Sequence, residues 1–91
     1  MTISFPNHSR SYDGSYRRVR FLGYDGVMQV AFFLQADALQ SIDPSARVDE
    51  ASLLRVFDRN RDRILDVASG AYRATRKPSY FLAAADFLAS R

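Results

Sequence analysis

DEASLLRVFDRNRDRILDVASGAYRATRK, residues 49–77, is the stretch that decides the fold. On a helix turning about 100° per residue, Leu53, Phe57, Ile64, Ala68, Ala71 and Thr75 make one apolar stripe. Leu54, Leu65 and Tyr72 widen it on one side, and Val56 and Val67 flank it on the other. Asp49 is the expected N-cap, because its carboxylate can accept from the free amides of the first turn. Val48 and Leu53 stand at the hydrophobic-staple positions. Glu50 suits the positive end of the helix. Pro78, just beyond Arg76 and Lys77, is the stop signal. A single long amphipathic helix of this kind needs a broad apolar surface to lie on.

The opposite face carries Arg55, Asp58, Arg59, Asp62, Arg63, Asp66 and Arg73. Arg55–Asp58, Arg59–Asp62 and Arg63–Asp66 have i,i+3 spacing, which supports a solvated helix by about 0.2–0.5 kcal/mol per pair. This face reads as solubilising. Gly70 is its weak point, costing about 1 kcal/mol against alanine. Arg61 breaks the pattern, because it falls inside the apolar stripe between Phe57 and Ile64. It is a buried polar or structural residue. Either its stem packs while its head reaches solvent, or the cation holds an acidic partner or ligand.

The surface for the helix comes from the segment before it. Tyr16–Leu22 alternates, with Val19 and Phe21 pointing one way and Arg18, Arg20 and Leu22 the other. Gly23-Tyr24-Asp25-Gly26 is read as the turn of a hairpin, on its Asp-Gly pair. Val27–Leu34 returns, with Met28, Val30, Phe32 and Leu34 as the core face. Phe33 suggests that the second face is partly covered too. Upstream, Thr2–Phe5 reads as a short strand and Asn7–Gly14, which holds the lone His8, as a loop. Downstream, Asp37 caps a short helix, with Gln40 completing a capping box and Leu39 and Ile42 facing inward. Asp43-Pro44-Ser45 separates it from the long helix. Ser79–Phe87 is a last strand, with Asp86–Ser90 as an alternative helical tail. Phe81, Ala83, Ala85 and Phe87 share one of its faces. The expectation is one two-layer α+β domain over residues 1–91: an antiparallel sheet of about four strands, with one long and one short helix on one face.

Composition narrows the function. The chain has 91 residues, 47% of them hydrophobic, and no cysteine. That excludes disulfides, thiolate metal sites and a cysteine nucleophile, and fits a reducing, cytoplasmic setting. No apolar run reaches the roughly 18 residues that a membrane span needs. The first six residues lack the charged and apolar regions of a secretory leader, so none is expected. The net charge of +3 is uneven. Residues 1–24 hold four arginines and one acid, and residues 73–91 hold four bases and one acid. If the fold joins the ends, a basic patch results. Twelve of the thirteen bases are arginine in an alanine-rich chain, so base composition of the gene is an equally good source of the charge.

The chain also resembles a known family, the small bacterial proteins grouped as domain of unknown function 1488. The matching stretches are Ile3–Pro6, Val19–Gly26, Phe57–Ile64 with Ala68 and Tyr72, and Ser79–Phe87. The resemblance spans nearly the whole chain and implies a compact α+β fold in a bacterial, cytoplasmic protein. It implies no activity and so transfers no functional residues.

Three function classes follow. An enzyme is disfavoured: no glycine-rich phosphate loop and no metal-spaced cluster is present, and Asp25, Asp86, Tyr24, Tyr72 and His8 have no evident catalytic partners. No catalytic residue, cofactor or metal is therefore assigned. Asp86 reads as a structural carboxylate, capping a terminal turn or pairing with Arg61. A nucleic-acid binder would use Arg17, Arg18, Arg20, Arg73, Arg76 and Lys77 around Tyr16, Tyr24 and Tyr80. The favoured class is a non-enzymatic interaction or regulatory module without membrane contact. It would self-associate into a homodimer, or bind another protein, through a sheet edge or the second apolar face. Arg18 and Arg20 would guard the edge.

Overall fold

The computed structural model describes residues 3–88. The chain runs β1 (Arg10–Asp13), β2 (Arg18–Asp25), β3 (Met28–Gln35), α1 (Ala36–Ile42), α2 (Glu50–Arg59), α3 (Arg61–Thr75), β4 (Ser79–Leu82) and α4 (Ala84–Leu88). The four strands form one sheet in the order β1-β2-β3-β4. The helices cover one face, so the fold is a small α+β one.

The alternation in β2 and β3 sets the core. Val19, Phe21, Val30, Phe32 and Leu34 are buried on the helical side, joined by Tyr80 and Leu82 of β4. Leu53, Val56 and Phe57 of α2 and Ile64, Ala68 and Tyr72 of α3 pack onto them in one apolar cluster. The Phe57 ring lies 5.2 Å from Phe21. Of the expected stripe, Thr75 is exposed and Ala71 only half-buried, and Tyr72 takes the inward position instead.

Several expectations need correction. The sheet is mixed: β1, β2 and β3 are antiparallel, but β4 runs parallel to β3. The helical crossover returns the chain to the end where β3 began, so β4 must start there, and Pro78 hands its carbonyl to Ala31 at 3.0 Å. The long helix is two helices, broken at Asn60. Asp49 does cap the first, accepting from the Ser52 amide at 2.8 Å. At Asn60 (φ −116°, ψ 23°) the side-chain amide donates to the Val56 carbonyl at 2.9 Å, offering the backbone an alternative to helical continuation.

Other boundaries move too. Asn7–Gly14 is not all loop, because Arg10–Asp13 pairs with β2. The expected strand at Thr2–Phe5 is reduced to one bridge, Ser4 to Tyr24, and Thr2 lies outside the described residues. Gly23 sits inside β2, opposite Val30, so the turn is formed by Gly26 and Val27. Gly23 is small for packing: a Cβ there would come within 2.8 Å of both Ile3 Cδ1 and Phe5 Cε1. Gly26 has φ +63°, the conformation that makes glycine the favoured turn residue. Met28, at the hairpin tip, is exposed rather than core. Asp37 does not cap α1: Gln35 takes that position, with no side-chain cap bond. The last strand stops at Leu82 and α4 follows, while Ala89 and Ser90 of the helical-tail alternative lie outside the described residues.

Candidate interaction surface on the open sheet face

The pleat that buries Val19 and Phe32 turns their neighbours outward. On β2 these are Arg18, Arg20, Leu22 and Tyr24; on β3, Ala31 and Phe33; on β4, Ser79 and Phe81; on β1, Ser11 and Asp13. Phe33 and Phe81 are cross-strand partners. Their rings stack at 5.1 Å, 16° from parallel. The guanidinium of Arg18 lies 4.3 Å from the Phe33 ring centroid, 4.4 Å from Tyr16 and 5.6 Å from Phe81. Its Nε donates to Asp13 Oδ2 at 3.3 Å. The cation is thus held by one carboxylate and three aromatic faces, a favourable arrangement for arginine.

This platform is open. Phe81 is 60% exposed and Tyr16 69%. Tyr16 stands in the β1–β2 turn, where Arg17 adopts a left-handed φ of 52° and accepts from the Ala36 amide at 3.0 Å. β2 is an interior strand, so Arg18 and Arg20 cannot guard an edge. They stand in the middle of the open face.

The six arginine and lysine candidates separate into two groups. Arg17, Arg18 and Arg20 lie at the start of β2. Arg73, Arg76 and Lys77 lie at the C-terminal end of α3, beside the other end of that strand, about 23 Å away at 3.3 Å per residue. The join is visible in Tyr72, whose hydroxyl donates to Asp25 Oδ2 at 2.5 Å. That hydrogen bond, with burial second, pushes the Tyr72 hydroxyl above its ordinary pKa. Arg76 takes the left-handed cap of α3, with φ 52°, and donates its amide to the Tyr72 carbonyl at 2.7 Å. Lys77 donates its amide to the Tyr80 hydroxyl at 2.6 Å, and that hydroxyl also meets Thr75 Oγ1 at 2.8 Å. Tyr80 is therefore a core residue and no part of an exposed platform.

Asp86 accepts from the Ala83 amide at 2.8 Å, at the start of α4, and is not paired with Arg61. Arg61 is packed along the stripe, its side chain 14% exposed and its guanidinium 5.0 Å from the Phe57 ring centroid. The sequence points to Phe33 through the second apolar face of the hairpin, and does not mark Phe81 as a site. Only the parallel pairing of β4 shows that they share the outer face.

Among the described residues no helix is long and apolar enough to cross a membrane. A family model described as protein of unknown function, DUF1488, matches residues 3–82. Comparison with curated proteins and with solved structures gives no match.

Proposed function

The chain belongs to the DUF1488 family of unknown function, and on that premise we propose that it is a non-enzymatic interaction or regulatory module whose working surface is the open sheet face. The observation that carries this reading is Phe81. It is a large apolar ring, 60% exposed, stacked on Phe33 and bordered by Arg18. Aromatic residues and arginine are the types enriched at protein-binding hot spots. A second copy of the chain is the occupant we favour. A two-fold interface must be self-complementary, and this face supplies both halves of a cation–π contact: arginines 17 and 20 to give, and Tyr16 and Phe81 to receive. The cytoplasm is the setting we assign, and the absence of cysteine supports it.

Sedimentation equilibrium over the micromolar range tests this reading. The native chain should move toward twice the monomer mass, and Phe81→Ser should stay monomeric while keeping a cooperative thermal transition. A strict monomer at high micromolar concentration, or a dimer that survives Phe81→Ser, contradicts it.

A second reading rests on Arg17 and Arg20. Neither forms an ion pair among the described residues; Arg17 adjoins the exposed Tyr16 and Arg20 stands opposite Phe33, a combination of cations and rings suited to single-stranded nucleic acid. A mixed-sequence oligonucleotide should then bind with an affinity that falls steeply as salt rises. Binding that is absent, or indifferent to salt, removes this reading.

A further inference from the structure

On the other side of the molecule, where α2 gives way to α3, lies a depression of about 470 Å³ lined by His8, Arg10, Asp58, Arg59, Arg61 and Asp62. Three guanidinium groups meet two carboxylates there. One carboxylate is already committed. Asp58 takes a two-pronged bond from Arg10, Nε at 2.9 Å and Nη2 at 2.7 Å, and Nη2 of Arg61 approaches its Oδ1 at 3.5 Å. The planar fork of Arg10 is thus used within the protein.

The donors that remain belong to Arg61 and Arg59. Arg61 is fixed by its packing on Phe57 and by Nη2, which donates to the His8 carbonyl at 2.9 Å. Its Nε and Nη1 have no protein partner among the described residues, and no buried side-chain nitrogen or oxygen lacks one. Those two groups therefore reach solvent, and the depression is the solvent-filled space that Arg61 lines. Arg59 makes no hydrogen bond or short ion pair among the described residues, although Asp43 feels its charge. Donors thus come from the last residue of one helix and the first of the next, with His8 at the rim. Asp62 is the single opposing group not already paired.

We infer that this depression is a binding site for a small tetrahedral oxyanion, a phosphate group, with Arg61 as its fixed donor and Arg59 as its mobile one. Arg61 is the one residue that defies the apolar pattern of its helix, and the site gives that position a use. A methionine or leucine there would pack on Phe57 at least as well. Arg61 tethers the His8 loop and presents unspent N–H groups in the same geometry. The inference does not depend on the open sheet face.

The experiment is an amide-resolved NMR titration of the full chain with inorganic phosphate, with acetate in a parallel arm at matched ionic strength. Saturable shifts are expected at His8, Arg10 and residues 58–62, with phosphate binding more tightly than acetate. Arg61→Met should abolish saturation, and Arg47→Ala, an equal loss of charge at an exposed position outside the depression, should not. Asp62→Asn leaves the packing alone and should tighten phosphate binding by about twofold to fivefold, the value of one surface charge. Shifts that stay linear, saturation that persists in Arg61→Met, acetate binding more tightly than phosphate, or no gain from Asp62→Asn would each overturn the assignment.

Discussion

Phe32 and Phe33 are consecutive residues of one strand in opposite surroundings. Phe32 is fully buried and stacks on Phe21 at 5.2 Å and on Tyr80 at 5.4 Å, rings that in turn meet Phe57 and Tyr72 of the helices. Phe33, half-buried, stacks in nearly the same geometry at 5.1 Å on Phe81, which is 60% exposed. The sheet thus carries an aromatic row on each face. The inner row anchors the helices. The outer row packs against no helix, and its rings hold the Arg18 guanidinium instead. Ring stacking is common to both faces, so what separates them is desolvation, the larger contribution to stability. An outer row retained without that contribution is what a binding surface looks like.

The sharpest way to break this comparison is to truncate one ring on each face. Phe32→Ala should cost about 3–5 kcal/mol and bring the chain close to unfolding, as read by urea denaturation. Phe81→Ala should cost no more than about 1.5 kcal/mol in the same experiment, the worth of its stack on Phe33. Comparable losses would mean that both faces are structural. Next in size is Gly23→Ala. The added methyl meets Ile3 and Phe5, and overpacking of this kind costs about 1–3 kcal/mol. A neutral result would show that residues 3–5 are not held against the inner face.

The smallest effect belongs to charge. The hydrogen bond from Arg10, with the charges of Arg10 and Arg61 beside it, holds the Asp58 carboxyl below its ordinary pKa. Asp43 and Asp49 are lowered in the same direction, by Ser45 and Ser52 respectively. In acid the unfolded chain then binds more protons than the folded one. Stability from these carboxylates is present above their unfolded pKa of about 3.9 and is lost as pH falls through the lower folded values. Melting temperature should therefore drop below about pH 4, and Asp58→Asn should flatten part of that drop. An unchanged acid limb in Asp58→Asn would remove the Arg10–Asp58 pair from the account.

Much of this architecture is written locally. The alternation of Val19 to Leu34 marked the inner face, and Asp49 marked a helix start, because strand pleat and capping act over a few residues. The direction of β4 is not local. It depends on how far the helices travel before Ser79, and Phe81 was consequently assigned without reference to the face it shares with Phe33. In the sequence Gly23 reads as part of a turn because Gly26 lies near. Its actual role is to make room for Ile3 and Phe5, a contact from twenty residues away. Asn60 did carry a local signal, since its amide can compete with the helix backbone, but the helical stripe runs through it without a change of phase. Of the candidate sites, Arg61 was legible because one charge in an apolar stripe needs no structure to notice. The platform is half legible: Arg18, Arg20, Tyr16 and Phe33 from the sequence, and not Phe81 stacked on Phe33.

If the open face is where the proposed partner docks, its amides must respond to association. Amide chemical shifts followed from high micromolar concentration through dilution test it most directly. Shifts are expected at Tyr16, Arg18, Arg20, Phe33 and Phe81, with residues 26–28 unmoved although Val27 and Met28 are exposed at the hairpin tip. Shifts confined to that tip, or none on dilution, would contradict it.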